Sequence, residues 1–155
     1  MSANLELASN PNTSPKTLAL LAKDESFEIR YRVMKNPNTP SRTLMLGIKN
    51  KDWRIKYAIS GNPRASKKSL ALLAKDDNMD IRYRVAFNPN TSAEILTSLA
   101  SDDISEVRCQ VAAHLNTPIK SLVLLAQDEI EYVRESAFNN PTLPDEYKMF
   151  YMMSK

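Results

Sequence analysis

The dipeptide Asn-Pro begins at Asn10, Asn36, Asn62, Asn88 and Asn140, on a spacing of 26 residues with one place skipped. His114-Leu115 stands at the skipped place. The pentapeptide NPNTS at 10–14 returns at 88–92, three periods later, with NPNTP at 36–40 and NPRAS at 62–66 between them. A fixed period of this size marks one supersecondary unit repeated in tandem. Such a unit cannot bury its apolar face alone, so each copy must pack on the next.

One period, residues 10–35, reads NPNTSPKTLALLAKDESFEIRYRVMK. Pro11 biases Asn10 away from helix and ends the preceding element. Thr13 and Ser14 are expected N-cap residues, with Pro15 in the first helical turn. Thr39-Pro40 repeats the device, and Thr91 with Glu94 has capping-box spacing. Leu18, Leu21 and Ala22 then form one face of a short first helix. The same columns hold Leu44, Gly47, Ile48; Leu70, Leu73, Ala74; Leu96, Leu99, Ala100; and Leu122, Leu125, Ala126. Ile29 and Val33 begin a second helix, continued by Ile55/Ile59, Ile81/Val85, Val107/Val111 and Val133/Ala137. Helices of about nine residues are unstable in isolation, so burial between repeats must hold them.

The spacing therefore predicts an all-α solenoid forming one domain over 1–155, with repeats at 10–35, 36–61, 62–87, 88–113 and 114–139. Residues 1–9 are expected to be an N-terminal half-repeat, with Leu5 and Leu7 as its apolar members. Residues 140–155 are expected to close the array. Phe150, Tyr151, Met152 and Met153 there are read as a cap, with a dimer contact as the alternative.

Composition fits this class. Apolar residues make up 43% and charged residues 25%, which suits a globular chain. No apolar run approaches the ~18 residues of a membrane span. The N-terminus has no basic segment followed by an apolar stretch, so no secretory signal is expected. The single cysteine, Cys109, forms no internal disulfide, and a cytoplasmic setting is the expectation.

Asp24 and Arg30 recur as Asp76/Arg82, Asp102/Arg108 and Asp128/Arg134, while the second repeat has Asn50 and Lys56. The paired change suggests that the two columns are partners. A partly buried arginine row needs acceptors, and the aspartates supply them at fixed spacing. The columns are therefore read as a ladder joining adjacent repeats, with an anion-binding row as the alternative. On that reading Asp76→Ala leaves Arg82 unpaired.

The pattern N-P-x-T-[SP]-x3-L-x2-L-A-x-D-x4-[IV]-R-x2-V resembles the leucine-rich repeat variant, a HEAT-like repeat, over residues 10–141. The resemblance implies a right-handed superhelix of short helices. Some members carry an iron–sulfur cluster on an N-terminal cysteine segment. This sequence has no such segment, so no cofactor is expected. The second repeat departs from the pattern at Gly47, Asn50 and Lys56.

On the second helix of each repeat, Phe27/Tyr31, Trp53/Tyr57, Met79/Tyr83, Ser105/Cys109 and Glu131/Glu135 form a column pair away from the core face. Three repeats carry large aromatic or apolar groups there, and two carry polar or small ones. The same half of the chain is basic. Residues 1–88 hold 16 Lys/Arg against 8 Asp/Glu, and residues 89–155 hold 5 against 10. Phe27, Tyr31, Arg32, Lys35, Trp53, Arg54, Tyr57, Met79, Tyr83 and Arg84 are the candidate partner-binding residues. Packing of these aromatics between repeats, with Trp53 filling the space left by Gly47, is the alternative. Arg32 with Glu28, and Arg84 with Asp80, have ion-pair spacing.

No catalytic constellation is visible. Cys109 and the only histidine, His114, are five residues apart and point to different faces of a helix. Asp76-Asp77 and Asp102-Asp103 are adjacent carboxylates, but one of each pair belongs to the ladder. Glycine-rich phosphate loops and metal-ligand spacings are absent. The expected function is a non-catalytic scaffold for another protein with an acidic surface. The runner-up is a nucleic-acid-binding solenoid using the basic half. No metal, cofactor or membrane is expected.

Overall fold

The computed structural model describes residues 2–152, with side chains described through residue 149. Among these residues there are twelve α-helices and no strand: α1 (Ala3–Ser9), α2 (Pro15–Leu21), α3 (Phe27–Lys35), α4 (Ser41–Gly47), α5 (Trp53–Ser60), α6 (Lys67–Leu73), α7 (Met79–Phe87), α8 (Ala93–Leu99), α9 (Ser105–Ala113), α10 (Ile119–Leu125), α11 (Glu131–Asn139) and α12 (Asp145–Met152). They fall into two compact units, Met1–Asn90 and Thr91–Lys155. In the first, α1, α3, α5 and α7 form a row, each packed on the next, with α2 and α6 each touching two of them. In the second, α9 packs on α11, and α10 touches both. Each unit is thus an α-solenoid of two-helix repeats.

The first helix of each repeat is seven residues long and starts on a polar or proline cap. Ser14 and Ser66 accept from the backbone N–H of Thr17 and Ser69, each at 3.1 Å. The threonine before the cap does something else. Thr13 and Thr117 are buried, and each donates its hydroxyl back to a carbonyl six residues earlier, Leu7 and Val111, at 2.6 Å. Thr39 does the same to Val33. Thr13 and Thr39 are therefore not caps. They tie the turn to the end of the preceding helix, and Ser14 and Pro40 take the cap position. The Thr91–Glu94 capping box does not form either, because the cap of α8 is Ser92, whose hydroxyl meets the Glu94 carboxylate at 2.9 Å.

The Asp24 column starts the second helix. Its side-chain oxygen accepts the N–H two residues on: Ser26 to Asp24 at 2.9 Å, Asp52 to Asn50 at 2.9 Å, Asn78 to Asp76 at 3.1 Å, Ile104 to Asp102 at 3.0 Å and Ile130 to Asp128 at 2.9 Å. A side-chain carbonyl suffices for this turn, so Asn50 serves as well as aspartate.

The apolar columns form the core of each unit. Leu18, Leu44, Leu70, Leu96 and Leu122 are fully buried, as are Val33, Ile59, Val85, Val111 and Ala137. Gly47 breaks the second leucine column for a steric reason. A Cβ there would lie 2.8 Å from Ile59 Cδ1 and 3.1 Å from Met34 Sδ. Met34 and Ile59 therefore take the space, and Trp53 does not fill it. Leu7 is 41% exposed although its column is otherwise core, because no described helix packs beyond α1, and Ala8 is the buried residue of that helix. The side chains of Phe150, Tyr151, Met152 and Met153 lie outside the described residues.

After the first, the asparagine of each Asn-Pro pair does more than end a helix. Asn36 Nδ2 donates to the carbonyls of Ala8 and Asn10, both at 2.9 Å. Asn62 reaches Met34 and Asn36 at 2.7 and 3.0 Å, and Asn88 reaches Ser60 and Asn62 at 2.7 and 3.2 Å. In the second unit Asn140 reaches Ala112 and His114 at 2.7 and 3.1 Å. Each Oδ1 also accepts the N–H two residues ahead. One buried amide thus bonds two carbonyls at the end of the helix one period back and shapes its own turn. At His114 the ring Nδ1 takes over the second task, accepting the Asn116 N–H at 3.0 Å.

Candidate functional site

The aromatic columns lie on α3, α5 and α7, consecutive helices of the Met1–Asn90 unit. Trp53 is 47% exposed, Met79 39% and Tyr83 38%, while Phe27, Tyr31 and Tyr57 are half-buried. Phe87, one turn beyond Tyr83, adds an exposed ring that the column analysis missed. Its i+4 relation to Tyr83 was the available signal.

The rings and cations of this strip interlock across repeats. Phe27 stacks on Tyr31 with centroids 5.9 Å apart, and Trp53 meets Tyr57 edge-on at 6.1 Å. Arg54 of α5 places its guanidinium 4.0 Å from the Phe27 ring centre of α3. Arg84 of α7 lies 5.3 Å from the Tyr57 ring of α5 and 5.8 Å from Phe87. Lys35 sits 5.5 Å from the Tyr31 ring. Such contacts are worth roughly 0.5–1 kcal/mol each when exposed. The alternative of packing between repeats therefore holds for the half-buried rings, and outward display holds for Trp53, Met79, Tyr83 and Phe87.

The cations of the strip are mostly engaged. Arg32 pairs with Glu28 at 2.6 Å, as its spacing predicts. Arg54 donates through Nε and Nη2 to the two oxygens of Asp52 at 3.0 and 2.7 Å. Those hydrogen bonds hold the Asp52 carboxyl below the usual carboxylate range. Arg84 does not pair with Asp80. Its Nε is buried with no hydrogen-bond partner, because the guanidinium lies against Gly61 and between the two rings. A Cβ on residue 61 would collide with that nitrogen. Gly61 has an ordinary helical backbone at φ −90°, so Gly61→Ala meets only a movable side chain. This variant is expected to displace Arg84 from Tyr57 while changing stability by no more than about 1 kcal/mol. Chemical denaturation with the Tyr57 ring resonances as a second readout checks it. An unchanged Tyr57 environment would show that Arg84 does not rest on that ring.

The Asp/Arg columns join repeats, but with a pairing different from the expected one. Each arginine uses Nη1 on the backbone carbonyl of its own repeat's aspartate: Arg30 on Asp24 at 2.8 Å, Arg82 on Asp76 at 3.0 Å, Arg108 on Asp102 at 2.9 Å and Arg134 on Asp128 at 2.6 Å. The carboxylate instead serves the preceding repeat. Arg108 grips Asp128 through Nε and Nη2 at 2.6 and 2.9 Å, and Lys56 meets Asp76 at 2.8 Å. Asn4 takes the same place opposite Asp24 at 3.1 Å. Asn50 and Lys56 are consequently not partners, and Asp76→Ala frees Lys56 rather than Arg82. Hydrogen bonding from Arg108 sets the Asp128 carboxyl below its ordinary range, and burial opposes this only in part.

A second surface feature went unread in the sequence. Leu20, Leu46 and Leu72, one per repeat on α2, α4 and α6, are exposed. Among the described residues no group of three or more metal-ligating side chains occurs, and no helix is long and apolar enough to cross a membrane.

No family model matches the chain. No curated protein matches it either. Among solved structures it is similar to one described as a leucine-rich repeat variant with a novel repetitive structural motif. The superposition has a TM-score of 0.71 at 22% identity and covers 94% of this chain and 58% of that one. This chain thus spans little more than half of that structure, and the likeness establishes the fold: a leucine-rich-repeat-variant solenoid.

Proposed function

We infer that the chain is a non-catalytic scaffold that binds another protein through the strip on α3, α5 and α7. The observation that supports this reading is the exposure of Trp53, Met79, Tyr83 and Phe87 on two adjacent helices. Solitary exposed apolar residues are ordinary, but a contiguous aromatic patch on a repeat fold suits partner binding. Tyrosine and tryptophan are favoured anchors because they bury much area with little loss of side-chain freedom. The half-buried rings and the arginines laid across them hold the exposed ones in place before a partner arrives. Lys35 leaves one cation at the edge for an acidic group.

The engaged cations of the strip weigh against a phosphate grip on that face. Arg32 and Arg54 are ion-paired, and Arg84 is packed between rings. A nucleic-acid surface needs cations free to replace counterions.

The test uses the double variant Trp53→Ser/Tyr83→Ser beside a control, Leu124→Ser, on an exposed position of α10. Both are expected to keep the wild-type helical spectrum. Any protein partner captured by the wild type is expected to bind the control equally and the double variant at least roughly tenfold more weakly. Equal capture by all three would remove the strip from the function. Quenching of Trp53 emission by oligonucleotides, reversed by moderate salt, would instead support the nucleic-acid reading.

A further inference from the structure

The Met1–Asn90 unit contains a groove of about 600 Å³ at the junction of its first two repeats. Lys16 and Leu20 line it from the first helix of repeat one and Lys23 from the turn after it, Arg42 and Leu46 from the first helix of repeat two, and Arg30 from α3. No residue of the aromatic strip takes part. Thr43, Lys49 and Asn50 complete the polar lining, while Ala19, Met34 and Ile55 extend the apolar one. Five cations therefore line the groove, and no carboxylate does. Lys16, Lys23, Arg42 and Lys49 make no ion pair among the described residues.

Arg30 is the informative member. Its Nη1 is held by the carbonyls of Asp24 and Glu25 at 2.8 and 2.7 Å, so the guanidinium is fixed in place. Arg108 is fixed in the same way and offers its remaining Nε and Nη2 to Asp128, twenty residues ahead. Twenty residues ahead of Arg30 stands Asn50, whose Oδ1 already accepts the Asp52 N–H. No carboxylate of the described residues meets the Nε and Nη2 of Arg30. Asp52 feels its charge, but both Asp52 oxygens are engaged by Arg54.

The same fork that holds a carboxylate in repeat four thus faces, in repeat one, a groove with four further cations and leucine walls. We propose that this groove binds an organic carboxylate, with the anion on the Arg30 fork and an apolar body against Leu20 and Leu46. A planar fork fits a carboxylate with two parallel hydrogen bonds. The volume lies in the range of small-ligand sites, and like charges around it favour an anion. The ligand takes the role that aspartate plays at other repeat junctions, so its binding also ties repeats one and two together.

Octanoate is the probe, with octanamide and inorganic phosphate as comparisons. The readouts are the Arg30 Nε–H resonance and the Leu20 and Leu46 methyl resonances. Octanoate is expected to shift all three, and octanamide and phosphate to bind at least tenfold more weakly. The variant Asn50→Asp supplies the chain's own carboxylate and keeps the bond to the Asp52 N–H, as aspartate does in the other repeats. It is expected to raise the melting temperature and to weaken octanoate at least tenfold. Octanoate binding unchanged in Asn50→Asp would overturn the proposal. Octanamide binding as tightly as octanoate would overturn it too, by showing only apolar adsorption. Phosphate binding as tightly as octanoate would remove the apolar body from the recognition.

Discussion

Asn62→Ala is expected to destabilise the fold by about 2–4 kcal/mol, while Asn10→Ala costs about 1 kcal/mol or less. Both asparagines precede proline, and both accept an N–H two residues ahead, from Arg64 and Asn12 at 2.8 and 2.9 Å. Only Asn62 is buried, and only Asn62 uses Nδ2 on two carbonyls at the end of the helix one period back, Met34 and Asn36. Truncation removes three hydrogen bonds and strands the Met34 carbonyl away from water, while the Asn36 carbonyl keeps its bond from the Thr39 N–H at 3.1 Å. Each stranded group costs roughly 1–3 kcal/mol. In a solenoid, stability is close to a sum over repeats and their junctions, so the loss concentrates between repeats one and two and their successor. Denaturant melts of the two variants provide the comparison, with hydrogen exchange of α3 and α5 to locate the opening. Equal losses at positions 10 and 62 would mean that the amide does no more than shape its own turn.

Asp128→Ala is expected to cost about 3 kcal/mol, more than Asp76→Ala, and Asp77→Ala is expected to be nearly neutral. Asp128 and Arg108 have side chains only 8% and 11% exposed, and they meet through two hydrogen bonds. Removing the carboxylate leaves a desolvated guanidinium whose Nε loses its partner and whose Nη2 keeps only the exposed Glu129 carboxylate at 3.7 Å. Lys56 and Asp76 meet through one ammonium contact and are more exposed, at 27% and 14%, so water recovers more of the loss. The pH dependence has a definite sign. The folded Asp128 carboxyl titrates below its unfolded value, so the folded state is the weaker proton binder. Its contribution is complete above the ordinary carboxylate pKa of about 4 and drains away as pH falls through the lower folded value. The stability gap between wild type and Asp128→Asn is therefore expected to be constant from pH 7 to about 5 and to close in acid. A gap that persists to pH 2 would exclude the ion pair as its source.

The helical repeats were legible because their causes are local. Leu18 and Leu21, Ile29 and Val33, and the Pro-bearing turns each act over a few residues, and recurrence every 26 residues multiplies a weak signal. The aromatic columns were legible in the same way, since Phe27, Trp53 and Met79 fall at equivalent places. Their exposure was not, because two arginines from later repeats decide it. Arg54 covers Phe27 and Arg84 covers Tyr57, whereas Trp53 and Tyr83 receive no such cover. Gly61, which admits Arg84, reads in the sequence as a turn residue and shows its purpose only beside the guanidinium.

The sequence by itself determined the period, the two-helix repeat, the core columns and the places where the second repeat departs from the rest. The tertiary structure decided which repeat each polar group serves. Asp and Arg are six residues apart within a repeat and twenty apart across the next junction, and those two separations add up to one period. A periodic sequence reports equivalent positions and is blind to that choice. Only the packing of one repeat on the next assigns the carboxylate of Asp128 to Arg108, gives Asn62 to Met34 and Asn36, and leaves the Arg30 fork facing a groove.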